Sequence, residues 1–202
     1  STIRDLDWIR RHTPAGAGVE VTDVTDRLAV YGVMGPAARE VLGGLLDVDL
    51  DDAAFPFGSS QEVSVATASG PVAVRATRLT YVGELGWELY VPVEHGAAVY
   101  AALATATRAA GGRPAGYYAI EAMRLEKAYR AFGRELTADV DPVQAGLIFT
   151  CKLGSSIPFL GRAAVEAARV AGPRRRVVSV VFDDPTAYPW GGELVLRDGV
   201  PV

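Results

Sequence analysis

Two alternating runs joined by a tight turn constrain this chain more than any other feature. Glu62 to Ala68 and Val72 to Thr80 carry apolar residues at every second position, and Ser69-Gly70-Pro71 between them has turn chemistry. A period of two with one buried face fixes register, so an antiparallel hairpin is predicted. Trp87 to Val91 is a further strand, and shorter ones are expected at Val19 to Val24, Leu28 to Val33 and Val177 to Phe182. Helical patterns lie around them. Ile3, Leu6 and Ile9 share a face after a capping Ser1 or Thr2. Pro36 opens a helix to about Leu46, since proline suits the first helical position. A long helix runs from Val93 to about Ala110, with Val93, Ala97, Tyr100 and Leu103 on one side, and Gly111-Gly112 ends it. Tyr117 to Phe132 and Leu160 to Ala168 complete the set. Along the former, Glu126 and Arg130 have the spacing of a surface pair. Strands and helices mix without regular alternation, so the fold class is α+β.

Half of the 202 residues are hydrophobic, enough to build a core without disulfide or metal staples. The net charge of -4 argues against nucleic acid as a partner. No apolar run reaches the roughly 18 residues of a membrane span. His12 and His95 lie far apart with no cysteine pair, so no metal site is expected. The single cysteine, Cys151, cannot form an internal disulfide, and a reducing, cytoplasmic setting is expected. Phe149-Thr150-Cys151-Lys152-Leu153 reads as a buried strand, which gives Cys151 a structural role.

The Gly172-Pro173 turn beside Arg174-Arg175-Arg176 sets an expected boundary: a main domain over 1–172 and the start of a β-rich lobe over 173–202. Both ends are expected to be cut from a longer polypeptide. The chain opens on a helix without an initiator methionine. At the other end, Glu193 to Arg197 reads as a strand and Asp198-Gly199 as a hairpin turn, but the return strand Val200-Pro201-Val202 stops after three residues.

The segment from Leu79 to Val91 carries the chemistry. Gly83 and Gly86 interrupt it, marking a turn between two extended pieces. In the second piece Trp87, Leu89 and Val91 share one face, and Glu88 and Tyr90 share the other. A carboxylate in an apolar strand needs a partner or a wet pocket. Glu88 thus has two readings. It faces water or an arginine such as Arg75 or Arg78, or it recognises a ligand that offers two adjacent N–H donors, as a pterin ring does. Tyr81, across the glycine turn, is a half-buried strand aromatic or a source of a ring face and hydroxyl for that ligand.

The run Tyr81-Val82-Gly83-Glu84-Leu85-Gly86-Trp87-Glu88 resembles the Y-T-G-E-x-G-x-E segment of the glycine-cleavage T-protein (aminomethyltransferase) family. Val33-Met34-Gly35-Pro36-Ala37-Ala38-Arg39, Arg113 to Arg130, Asp141 to Leu147 and Phe159-Leu160-Gly161-Arg162 are similar to further segments of that family, in the same order. Gly116-Tyr117-Tyr118-Ala119 with Arg124-Leu125-Glu126-Lys127 looks closest to the C-terminal folate domains of dimethylglycine and sarcosine dehydrogenases. T-proteins carry an arginine-aspartate pair where this chain has Ile120-Glu121, a departure that favours the dehydrogenase branch.

The resemblance implies a fragment of a three-lobed fold around tetrahydrofolate and a one-carbon transfer that yields methylenetetrahydrofolate. It places Glu88 on the pterin edge and Tyr81 beside the folate. The family's catalytic aspartate has no matching motif after Asp5 and is expected outside the chain, which would leave the chain alone inactive. In the dehydrogenases an amine-derived donor is made by FAD, expected in an N-terminal domain. A free aminomethyltransferase, partnered by a lipoyl carrier protein, and a non-catalytic folate-binding module are the alternatives.

Overall fold

The structure is a computed structural model that describes residues 2–202; Ser1, one of the two expected caps, lies outside the described residues. The chain divides into two compact units, Ser1–Tyr129 and Arg130–Val202. The Gly172-Pro173 turn, expected as a boundary, falls inside the second.

The first unit runs α1 (Thr2–His12), β1 (Leu28–Met34), α2 (Ala38–Gly43), β2 (Ser60–Thr67), β3 (Gly70–Thr77), β4 (Gly86–Pro92), α3 (Gly96–Ala109) and α4 (Tyr117–Glu126). Its four strands form one antiparallel sheet in the order β1-β4-β3-β2. The hairpin predicted from the alternating runs is β2–β3, with Val63 opposite Val74 and Val65 opposite Val72. Its turn is shorter than expected. Thr67 and Gly70 face each other across Ala68-Ser69, and the Thr67 hydroxyl donates to the Gly70 carbonyl at 2.6 Å.

One face of the sheet is the core. Val63, Val65, Val72, Val74, Ala76, Trp87, Leu89 and Val91 pack with Leu42 of α2, Val99 and Leu103 of α3, and Phe55. Trp87 is fully buried, edge-on to Phe55 at 6.1 Å between centroids. The Arg78 guanidinium lies 5.5 Å from its ring centre. Its Nε1 is buried without a hydrogen-bond partner among the described residues, a cost set against the large apolar area of the ring.

Several expected elements differ. Val19 to Val24 is not a strand: the Asp23 carboxylate accepts bonds from the Thr25 amide at 2.9 Å and hydroxyl at 2.6 Å, and this local turn competes with sheet pairing. The helix after Pro36 begins at Ala38 and stops at Gly43. The Leu45 and Leu46 amides both close on the Leu42 carbonyl at 2.9 Å, and the chain then runs to β2, where the Ala66 amide meets the Leu45 carbonyl at 2.8 Å. Val93 lies in a 3-10 turn before α3 and is exposed. The buried stripe of α3 is Gly96, Val99, Leu103 and Ala104, not the expected Val93–Ala97–Tyr100–Leu103 side. The Tyr31 hydroxyl donates to the Gly96 carbonyl at 3.0 Å, which seats the helix start on β1.

The helix expected from Tyr117 to Phe132 ends at Glu126. Ala128 takes a left-handed φ of 57°, and the Tyr129 amide bonds back to the Arg124 carbonyl at 2.9 Å, a C-terminal cap usually built on glycine. Glu126 and Arg130 therefore do not share a helix, and the ion pair at helical spacing is Glu121 with Arg124. Arg124 is buried, and its Nη1 also donates to the Tyr129 carbonyl at 2.8 Å.

In the second unit, α5 (Arg162–Ala171) is the helix expected from Leu160 to Ala168. Arg162 at its start donates to the carbonyls of Ser155 and Leu153, both at 2.6 Å. Cys151 follows a 3-10 turn, Ile148–Thr150, and is half-buried, so the expected buried strand is absent there. Val177 to Phe182 is irregular and largely exposed; the Val177 amide bonds the Gln144 carbonyl at 3.0 Å, but no strand is built. The terminal hairpin is present in shorter form, β5 (Leu196–Arg197) with β6 (Val200–Pro201). Asp198 and Gly199 both have positive φ, 53° and 78°, as a two-residue hairpin turn of this hand requires. No helix among the described residues is long and apolar enough to cross a membrane.

Trp87→Ala is expected to destabilise the first unit by about 3–5 kcal/mol, through lost transfer energy and the cavity left behind. Trp87→Phe should cost clearly less, because it keeps an aromatic ring and removes the unpaired Nε1. Urea unfolding followed by circular dichroism measures both.

Candidate functional site

Strand β4 is paired on both edges, so its pleat is fixed. With Trp87, Leu89 and Val91 in the core, Glu88 and Tyr90 project from the opposite face. Glu88 lies between Gly32 of β1 and Thr77 of β3, and Tyr90 between Val30 and Arg75. Gly32 has no side chain to lean on the carboxylate. The Thr77 hydroxyl is within 2.9 Å of the Ser60 hydroxyl.

The arginines that the sequence offered to Glu88 are engaged elsewhere. Arg75 holds Glu62 across the β2–β3 ladder, with Nη2 2.6 Å and Nε 2.9 Å from one carboxylate oxygen. Arg78 meets Asp52 at 2.8 Å and donates to the Phe55 carbonyl at 2.7 Å. Asp52 also accepts from Arg39 at 2.6 Å, and hydrogen bonding by Arg78, then its charge, then Arg39 hold this carboxyl below the usual range. Glu88 instead accepts a hydrogen bond at 2.7 Å from the Tyr90 hydroxyl to Oε2. That bond, with partial burial and the charge of Glu88, pushes the Tyr90 phenol above its ordinary value.

A cavity of about 560 Å³ lies over this same face of the sheet, lined among others by Ser60, Glu62, Arg75, Thr77 and Tyr90. Tyr90 thus borders the cavity and holds the carboxylate. What the face can do chemically follows: it presents an acceptor with no cationic partner among the described residues, joined through Tyr90 to a cavity of the size that takes a small organic molecule.

Tyr81 sits in the segment before β4 and is 38% exposed. Two features shape this segment. The Val82 amide donates to the Thr80 hydroxyl oxygen at 3.2 Å, and Val82 is buried. Gly83 has a φ of 70°, and a Cβ there would come within 2.9 Å of Lys127 Cβ and closer still to Cγ. Lys127 Nζ pairs with Glu84 Oε1 at 2.9 Å, and this bond raises the lysine pKa. The side chain of Lys127 therefore lies across the turn. Gly86 is forced by close approach: a Cβ would meet Met34 Cγ at 2.8 Å and the Val33 and Leu79 carbonyls at 3.2 and 3.1 Å.

Glu88 and Tyr81 occupy the two ends of one turn-and-strand segment, and no hydrogen bond or ring contact joins them among the described residues. The Glu88–Tyr90 bond was signalled by the shared strand face. The Glu84–Lys127 pair had no local signal, because its partners are 43 residues apart. Glu121, at the site where the sequence departs from the T-protein pattern, is the partner of buried Arg124.

Residues 1–155 match the GCVT N-terminal domain family. The chain is 42% identical over 180 residues to the mitochondrial sarcosine dehydrogenase of Mus musculus, covering 89% of this chain and 19% of that protein. It is 38% identical over 200 residues to the mitochondrial dimethylglycine dehydrogenase of Homo sapiens, covering 98% of this chain and 23% of that protein. Against an aminomethyltransferase of Geobacillus thermodenitrificans the identity is 36% over 184 residues, covering 91% of this chain and 48% of that protein. The chain spans about a fifth of the length of the two dehydrogenases and about half of the aminomethyltransferase. The turn-and-strand segment around Glu88, the ordered segments on either side of it and these matches lead to one assignment: this chain belongs to the GCVT N-terminal domain family.

Proposed function

We propose that this chain is a tetrahydrofolate-binding one-carbon transfer module of the kind carried by demethylating dehydrogenases. The observation that carries the reading is the placement of Glu88: a carboxylate on the outer face of a core strand, without a cation among the described residues, bonded to a tyrosine that lines a cavity. The edge of a pterin ring offers an amide-type N–H next to an amino group, two coplanar donors. An ionised carboxylate is an acceptor only, and such charge-assisted bonds are about twice as strong as neutral ones. Glu88 would hold that edge. Tyr81, half exposed at the other end of the turn, would supply an aromatic face or hydroxyl beside the folate.

In this reading the residues of the chain bind and orient. When bound, tetrahydrofolate supplies the nitrogen that takes up the one-carbon unit. No residue here is assigned the family's catalytic aspartate, so the chain's contribution is positioning. The three-lobed arrangement around folate is part of the same proposal. So is the donor: an amine-derived unit made by a flavin domain of a longer protein, in line with the identities of 42% and 38% to the two dehydrogenases. Delivery by a lipoyl carrier protein, as expected for a free aminomethyltransferase, is the second reading, favoured only by the identity of 36% to such a protein.

Calorimetric titration with tetrahydrofolate tests the site. Loss of charge-assisted bonds worth about 1.5–3 kcal/mol each predicts that Glu88→Ala raises Kd by about tenfold or more. An unchanged Kd would sink the assignment of Glu88.

The Glu88–Tyr90 bond also has a pH signature. Tyr90 has a raised pKa in the folded protein, so the stability it contributes is whole below the unfolded tyrosine value of about 10 and fades as pH rises through the folded value. The stability gap between the parent chain and Tyr90→Phe should therefore shrink above pH ~10. In an absorbance titration, Glu88→Gln should bring one late-ionising tyrosine back toward the ordinary range.

A further inference from the structure

We propose that Tyr90 is a positioning residue for Glu88: its hydroxyl holds the carboxylate through one lone pair of Oε2 and leaves Oε1 and the second lone pair of Oε2 for a ligand edge with two neighbouring N–H donors. The inference rests on the folate reading of Glu88.

The argument starts from the strand. Residues two apart in β4 share a face, which puts the Tyr90 ring beside the Glu88 stem, and the hydroxyl reaches the carboxylate at 2.7 Å. Among the described residues, no other side chain on that face bonds Glu88. Gly32 has no side chain, and Thr77 is bonded to Ser60. Among the described residues, Oε1 accepts no hydrogen bond.

The neighbouring charges matter as much. A guanidinium would take both carboxylate oxygens in a two-bond fork and close the site to ligand. Glu62 keeps Arg75 occupied at 2.6 Å, and Arg78 lies on the Trp87 side of the sheet, where it meets Asp52 at 2.8 Å. A phenol takes one lone pair and leaves the rest of the acceptor capacity free. It is also a dependable donor, since a tyrosine keeps its proton through neutral pH.

The physical benefit is preorganisation. A free glutamate has three side-chain torsions to fix when a ligand binds, and rotamer entropy opposes that. A carboxylate already held at one oxygen loses less on binding. Tyr90 also lines the cavity of about 560 Å³, so the ring that holds Glu88 is itself part of the cavity wall.

The test is a double-mutant cycle on the full chain, with tetrahydrofolate titrated calorimetrically into the parent, Tyr90→Phe, Glu88→Ala and the double variant; alanine leaves no acceptor for the Tyr90 hydroxyl. Tyr90→Phe is expected to raise Kd about 3- to 10-fold when Glu88 is present and to change nothing in the Glu88→Ala background. An equal loss in both backgrounds would mean that Tyr90 acts without Glu88, and overturns the inference. So does a Kd unmoved by Tyr90→Phe where Glu88→Ala raises it. A Kd unmoved by Glu88→Ala removes the folate reading and this inference with it. A second measurement needs no ligand: ¹³C relaxation of the Glu88 side chain in the parent and in Tyr90→Phe. Greater mobility in the variant supports the positioning role, and equal mobility overturns it whatever the titrations give.

Discussion

The burial of alternate residues on β4 is the constraint on which the rest depends. This strand lies between β1 and β3, so it cannot slip by one residue without breaking two ladders. A slip would also carry Trp87, Leu89 and Val91 out of the core. The same constraint sends Glu88 and Tyr90 outward. The hydrophobic face thus fixes the position of the polar one, and the energy that orients the carboxylate comes largely from the opposite side of the sheet.

The charged pairs around the sheet are sorted by what surrounds each one. Arg75 and Glu62 sit opposite one another on β3 and β2, and the ladder itself brings them together. Arg78 is drawn toward the Trp87 ring, the Phe55 carbonyl and Asp52 at the end of the hairpin. Both pairs have well-exposed members, and such pairs add little to stability. Their effect is local: with Arg75 held by Glu62 and Arg78 on the Trp87 side, Glu88 meets no cation among the described residues.

Much of this was legible in the sequence. The β2–β3 hairpin, the face on which Glu88 and Tyr90 lie, and the glycine-broken turn before β4 all follow from spacing of two and from turn residues. Other elements were not legible, for identifiable reasons. Val177 to Phe182 has the composition of a strand, yet a strand exists only where another chain segment takes its hydrogen bonds. Tyr117 to Phe132 has helical periodicity throughout, but the backbone turns left-handed at Ala128, a residue with no propensity for it. The side of α3 that is buried is the one whose Val99 and Leu103 pack on the sheet core, a partner set by residues distant in sequence. At the site, the preference of Glu88 for a neighbouring tyrosine over two arginines depended on Glu62 taking Arg75 and on Arg78 lying against Trp87 on the other face.

The crossing of Lys127 over Gly83 has a consequence for how this region can change. The aliphatic stem of Lys127 fills the space a side chain at position 83 would need, while its ammonium group ties Glu84. Positions 83, 84 and 127 are therefore one unit of variation. A larger residue at 83 requires a smaller one at 127, and that change releases the charge at 84, next to the segment that carries Tyr81. Drift at the end of α4 is thereby felt at the aromatic side of the site, although the two are more than forty residues apart in the chain.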